Sequence, residues 1–71
     1  MIFIGERINA GFKDIRAAIE NKDPEPIKKW AVRQTEAGAN YLDVNMGTAS
    51  NKIEDLRWMI ETVQDTVDTP I

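Results

Sequence analysis

The chain opens on an apolar run, Ile2, Phe3 and Ile4, closed by Gly5, a pattern that predicts a strand buried on both faces as in a parallel sheet. From Lys13 to Asn21, Ile15, Ala18 and Ile19 recur at the spacing of a short helix, with Asn21 as its stop. In "DPEP", Asp23 is placed to cap a second helix whose first position is Pro24, where a missing N–H costs nothing. Ile27, Trp30 and Ala31 form its inner stripe with Val32 beside it, while Lys28, Lys29, Arg33 and Glu36 face water. Gly38 supplies the left-handed residue that ends it.

Strand character returns in "NYLDVN", where alternation sends Leu42 and Val44 one way and Tyr41, Asp43 and Asn45 the other. Asn51 and Glu54 predict a capping box for a long helix with the stripe Ile53, Leu56, Ile60, Val63 and Val67. The residue before Pro70 is pushed out of the α region, so the helix closes at "DTP" and Ile71 reads as the first residue of a third strand. Strand, helices, strand and helix in that order predict an α/β fold with parallel pairing. Residues 1–71 then read as the leading strand–helix units of a longer protein, an incomplete domain with an open strand edge, and would be the N-terminal β/α units of a (β/α)8 TIM barrel if the missing strands supply the rest of its core.

Composition narrows the chemistry. The chain holds 71 residues, 42% hydrophobic and 30% charged, with neither Cys nor His. Thiol nucleophiles, imidazole bases and most zinc chemistry are therefore excluded, leaving carboxylates, amides, hydroxyls and cations. A net charge of −3, with no basic run longer than Lys28-Lys29, argues against nucleic acid. "MIFI" is too short for a signal peptide or a membrane span, so a cytoplasmic protein is the default.

Both strands deposit polar groups at their C-terminal ends, where barrel active sites lie: Glu6, Arg7 and Asn9 at the first, Asp43 and Asn45 at the second. Asp43 or Glu6 suits paired N–H donors of an aminopyrimidine edge, and Asn9 and Asn45 both donate and accept. A purely structural reading stands beside this one: Glu6 and Arg7 as an ion pair, Asp43 accepting loop N–H groups, Asn45 holding a turn. "GTAS" before the last helix matches no phosphate-binding motif and reads as an ordinary helix start. Trp30 reads as core, Trp58 as covering a seam or forming part of a subunit contact, and Lys13, Lys22, Lys28 and Lys29 as a solvated face.

"IGERIN" followed by "EAGANYLDVNMG" resembles the opening of the pterin-binding family of (β/α)8 barrels, over essentially the whole chain. Within it, the chain is most similar to methyltetrahydrofolate:corrinoid/iron-sulfur protein methyltransferases, then to the folate domain of cobalamin-dependent methionine synthase. The resemblance implies transfer of the N5 methyl group of 5-methyltetrahydrofolate to the Co(I) centre of a partner corrinoid protein, which carries the corrinoid, and a homodimer at full length. It assigns Glu6, Asn9, Asp43 and Asn45 to the pterin pocket. In the family the main pterin-anchoring Asp and the Asn that acts on N5 come from later strands, so no residue of 1–71 is assigned a catalytic or metal-binding role. Dihydropteroate synthases share the barrel, but "NMGTASNK" departs from their Gly-rich loop. A non-catalytic α/β interaction fragment is the alternative from another class.

Overall fold

Two parallel strands form the sheet of the computed structural model, which describes residues 1–71. Strand β1 spans Ile4–Asn9 and β2 spans Tyr41–Asn45; helices α1 (Lys13–Asn21) and α2 (Glu25–Glu36) connect them, and α3 (Ile53–Thr66) follows. The expected order and the parallel pairing are both present.

Every element contributes to a single core on one side of the sheet. Ile8 and Leu42 from the strands, Ile15 and Ile19 from α1, Ile27 from α2, and Met59 and Val63 from α3 are all sealed from water. Burying a large aliphatic side chain is worth about 1.5–3 kcal/mol, so these seven carry most of the stability. Ala18 and Ala31 are small enough to let α1 and α2 close onto that layer.

The helices start and stop for local reasons. Helix α1 buries Ile15, Ala18 and Ile19 as its spacing predicts. It ends with Lys22 in the left-handed region at φ 53°, while the Asp23 N–H donates to the Ala18 carbonyl at 2.9 Å. Helix α2 begins one residue later than Pro24, and Asp23 does accept there, from the Glu25 N–H at 3.1 Å. Gly38, at φ 98°, turns the chain after it. The inner stripe of α2 is Ile27, Ala31 and Gln34, whereas Trp30 is half-buried and Val32 lies on the surface.

Three expectations are corrected. The first strand starts at Ile4 and continues through Asn9, so Glu6, Arg7 and Asn9 lie within it; Ile2, Phe3 and Ile4 are exposed, with the helices packed on one side only. The Asn51–Glu54 capping box does not form; instead the Ser50 hydroxyl accepts the Lys52 N–H and donates to Asp55. Helix α3 is present, and of the expected stripe Val63 is buried and Val67 packs against the core, but the rest of the buried face is Asp55, Met59 and Thr62. Ile53 is 71% exposed, and with half-buried Leu56 and Ile60 it lines an open groove of about 340 Å³. Two apolar stripes run along α3, and the one at 53-56-60 is the more open to water.

Beyond α3 the backbone turns extended at Val67, and the Leu42 N–H donates to the Pro70 carbonyl at 2.8 Å. This one rung sets the tail against β2, but residues 67–71 form no strand, so the third strand read from Ile71 is not formed here.

Candidate functional site

Strand register decides which side chains share a face. Gly5 pairs with Leu42 and Ile8 with Val44, so β1 advances three residues while β2 advances two. The extra residue is a β-bulge, with Glu6 and Arg7 together opposite Asp43. It resets the alternation: Gly5 and Ile8, which would take opposite faces of a regular strand, are both buried toward the helices. The other face therefore presents Ile4, Glu6 and Asn9 beside Tyr41, Asp43 and Asn45. All four pocket candidates, Glu6, Asn9, Asp43 and Asn45, fall on this open face, with Asn9 and Asn45 as direct cross-strand partners.

The two asparagines do the same local work. Asn9 Oδ1 accepts the Gly11 N–H and Asn45 Oδ1 accepts the Gly47 N–H, each at 2.8 Å, closing matched Asx turns at the two strand ends. Gly47 needs its freedom, at φ 53°. The turn-holding reading of Asn45 is thus correct, and it extends to Asn9. Each amide oxygen is engaged, which fixes the amide orientation and leaves the Nδ2 hydrogens as the groups on offer. Glu6 and Asp43 take part in no ion pair, so their carboxylates remain acceptors on the same face.

Arg7 does not pair with Glu6. On the helix side, its Nη2 reaches both Asp14 oxygens at 2.9 Å, and its guanidinium lies between the rings of Phe12, 3.9 Å from the centroid, and Trp30, 4.2 Å away. The Trp30 indole N–H also donates to Asp14, at 2.9 Å. Burial pushes the Asp14 carboxyl up, but the hydrogen bonds from Trp30, Arg7 and the Ile15 N–H outweigh it and hold the group below the usual carboxylate range. Gln34 completes the cluster, its Oε1 accepting the Arg7 N–H at 2.9 Å. Residue types alone gave no pointer to Gln34, whose polar side chain sits where a helix stripe normally carries an aliphatic one.

A second polar cluster ties α1 to α3. Lys22, expected on a solvated face, reaches Asp55 at 2.7 Å. Lys22 and then Ser50 hold the Asp55 carboxyl below its usual range. The largest concavity, about 520 Å³, lies on the helical surface between Lys28 and Trp58, Glu61 and Asp65, away from the strand ends. No group of three or more carboxylates is placed to hold a metal ion, and no helix is long and apolar enough to cross a membrane.

No model of a protein family matches the chain. Over 72 aligned positions, taking in the whole chain, it is 46% identical to the methylcorrinoid:tetrahydrofolate methyltransferase of Eubacterium limosum. The chain spans 27% of that protein's length. The resemblance read from "IGERIN" and "EAGANYLDVNMG" is consistent with this likeness to a methyltransferase named for a corrinoid and a folate.

Proposed function

We propose that residues 1–71 form the opening strand–helix units of a pterin-binding (β/α)8 barrel, whose full-length protein exchanges a methyl group between N5 of a reduced folate and the cobalt of a corrinoid-bearing protein. The observation that carries this reading is the 46% identity along the entire chain to a protein named for those two substrates. The parallel strands and the rung from Leu42 to Pro70 are what such a barrel requires at its start.

The open face supplies one wall of the pocket. Glu6 and Asp43 accept the N–H groups of the aminopyrimidine edge, and the Nδ2 donors of Asn9 and Asn45 meet ring carbonyl and nitrogen acceptors. Donors from one residue type and acceptors from the other make this wall complementary to a neutral heterocycle with mixed edges. The residues that assist N5 belong to the remainder of the barrel.

Direction is where the sequence reading and the relative differ. The sequence resemblance takes 5-methyltetrahydrofolate as donor, whereas the relative's name takes methylcorrinoid as donor and tetrahydrofolate as acceptor. We adopt the relative's direction. The N5 lone pair forms the new N–CH3 bond, the electron pair of the Co–C bond stays on cobalt, taking it from Co(III) to Co(I), and the N5 proton leaves to solvent. The opposite transfer uses the same pocket and needs N5 protonated or hydrogen-bonded as the methyl group departs.

The test mixes the full-length protein with a methylated corrinoid protein and tetrahydrofolate, following cobalt absorbance and folate product. Cobalt demethylation coupled to 5-methyltetrahydrofolate formation is expected. Failure to bind either folate form calorimetrically, with no methyl exchange in either direction, would overturn the proposal.

A further inference from the structure

The bulge in β1 decides what the open face carries. Were these same residues paired regularly, with no bulge to take up one of them, strict alternation from Gly5 would put Ile8 on the open face and turn Asn9 toward the helices, exchanging a pocket group for a core group. The bulge is itself a defect in the ladder, and something must hold it. Its extra backbone donor, the Arg7 N–H, is taken by Gln34 Oε1 at 2.9 Å from the helix layer. The Arg7 side chain is pinned on the same side by both Asp14 oxygens and by the rings of Phe12 and Trp30. A single nitrogen, Nη2, meets both Asp14 oxygens, so what a planar guanidinium adds here is its stacking against two rings, which an ammonium does not reproduce.

Gly5 is part of the device. A Cβ there would stand 2.6 Å from Gln34 Oε1 and 3.0 Å from a Leu42 methyl group, so a side chain at this position would displace the amide that receives the Arg7 N–H. Two buried donors of the cluster, Arg7 Nη1 and Gln34 Nε2, have no partner within residues 1–71.

We infer that Arg7, held by Asp14, Trp30 and Gln34 behind the sheet, is a positioning residue that fixes the bulge and thereby aims Glu6 and Asn9 at the folate's pterin ring. The inference rests on the folate-pocket reading of the open face. Arg7 touches no substrate; it acts through Asn9, whose partner across the strands is Asn45.

The experiment measures tetrahydrofolate affinity of the full-length protein by calorimetry, at a temperature where circular dichroism shows each variant folded. Arg7→Met should weaken binding about tenfold through misplacement of the pocket groups. Trp30→Phe keeps a ring against the guanidinium and removes only the indole N–H, so a loss of about twofold is expected even where Arg7→Met does not fold. The double variant Arg7→Met/Asn9→Ala should bind better than the product of the single effects predicts, since one residue works through the other. Wild-type affinity in a folded Trp30→Phe protein, or fully multiplicative effects in the double variant, would overturn the positioning role and leave Arg7 a purely structural residue. Asn45→Ala separates the two levels. Normal folate binding by that variant removes the pocket itself, whereas weak binding by Asn45→Ala beside normal binding by Trp30→Phe removes only the role given to Arg7.

Discussion

On the helix side of the sheet Ile8 and Leu42 are sealed from water, whereas Glu6 and Asp43, two positions and one position away along the same strands, are exposed. The helix side is closed by three helices and carries aliphatic side chains. The open side carries carboxylates and amides toward the strand ends and apolar Ile4 and Tyr41 toward the strand starts. What separates them is a period-two alternation reset by one bulge. Residues that build the core therefore alternate with residues that the proposed pocket would use.

That contrast is breakable by substitution, and the largest effect belongs to the closed side. Ile8→Ala should cost about 2–5 kcal/mol in thermal or urea unfolding, the range for deleting a fully buried aliphatic group. A loss below about 1 kcal/mol would mean that the core does not rest on β1. On the open side, Asp43→Ala and Asn45→Ala should each weaken folate binding by the full-length protein by about 1–3 kcal/mol while the melting temperature changes little. Of the two, Asn45→Ala should lose more stability, because the Gly47 N–H loses its acceptor. A fall in melting temperature at unchanged affinity would place both residues with the structural ones.

Acid sharpens the comparison further. The carboxyls of Asp14 and Asp55 both titrate below their ordinary range, and both belong to the closed side. As pH falls, the unfolded chain takes up these protons first, so the stability they add is complete above about pH 5 and is lost as pH drops through their lowered folded values. Asp14→Asn should lower stability at neutral pH and flatten the acid limb of a stability–pH curve. An unaltered limb would show that the Arg7 and Trp30 contacts do not distinguish the charged carboxylate. The smallest effect is expected at Ile53→Ser, within about 0.5 kcal/mol for the 71-residue chain, because that side chain is largely open to water.

Much of this architecture was legible in the sequence because local rules agree with one another. Helix α1 has its buried positions where the spacing puts them, and β2 alternates as read. Helix α3 misled because it carries two apolar stripes; periodicity finds stripes but does not say which one a neighbour covers. The bulge was invisible because the backbone N–H it frees on β1 is met by a glutamine from α2, a contact between residues 27 positions apart. The candidate residues Glu6, Asn9, Asp43 and Asn45 were legible by type, but their shared face was not, since strict alternation from Ile4 would have parted Asn9 from Glu6.

The rung between Leu42 and Pro70 sets a starting line. Pro70 offers β2 a carbonyl and has no N–H to give, so pairing begins at this residue and cannot be continued backward toward α3 through its nitrogen. Any attachment of this tail to β2 that presents Pro70 as a donor forfeits a bond, so the proline narrows the registers in which residues 67–71 can settle against the sheet.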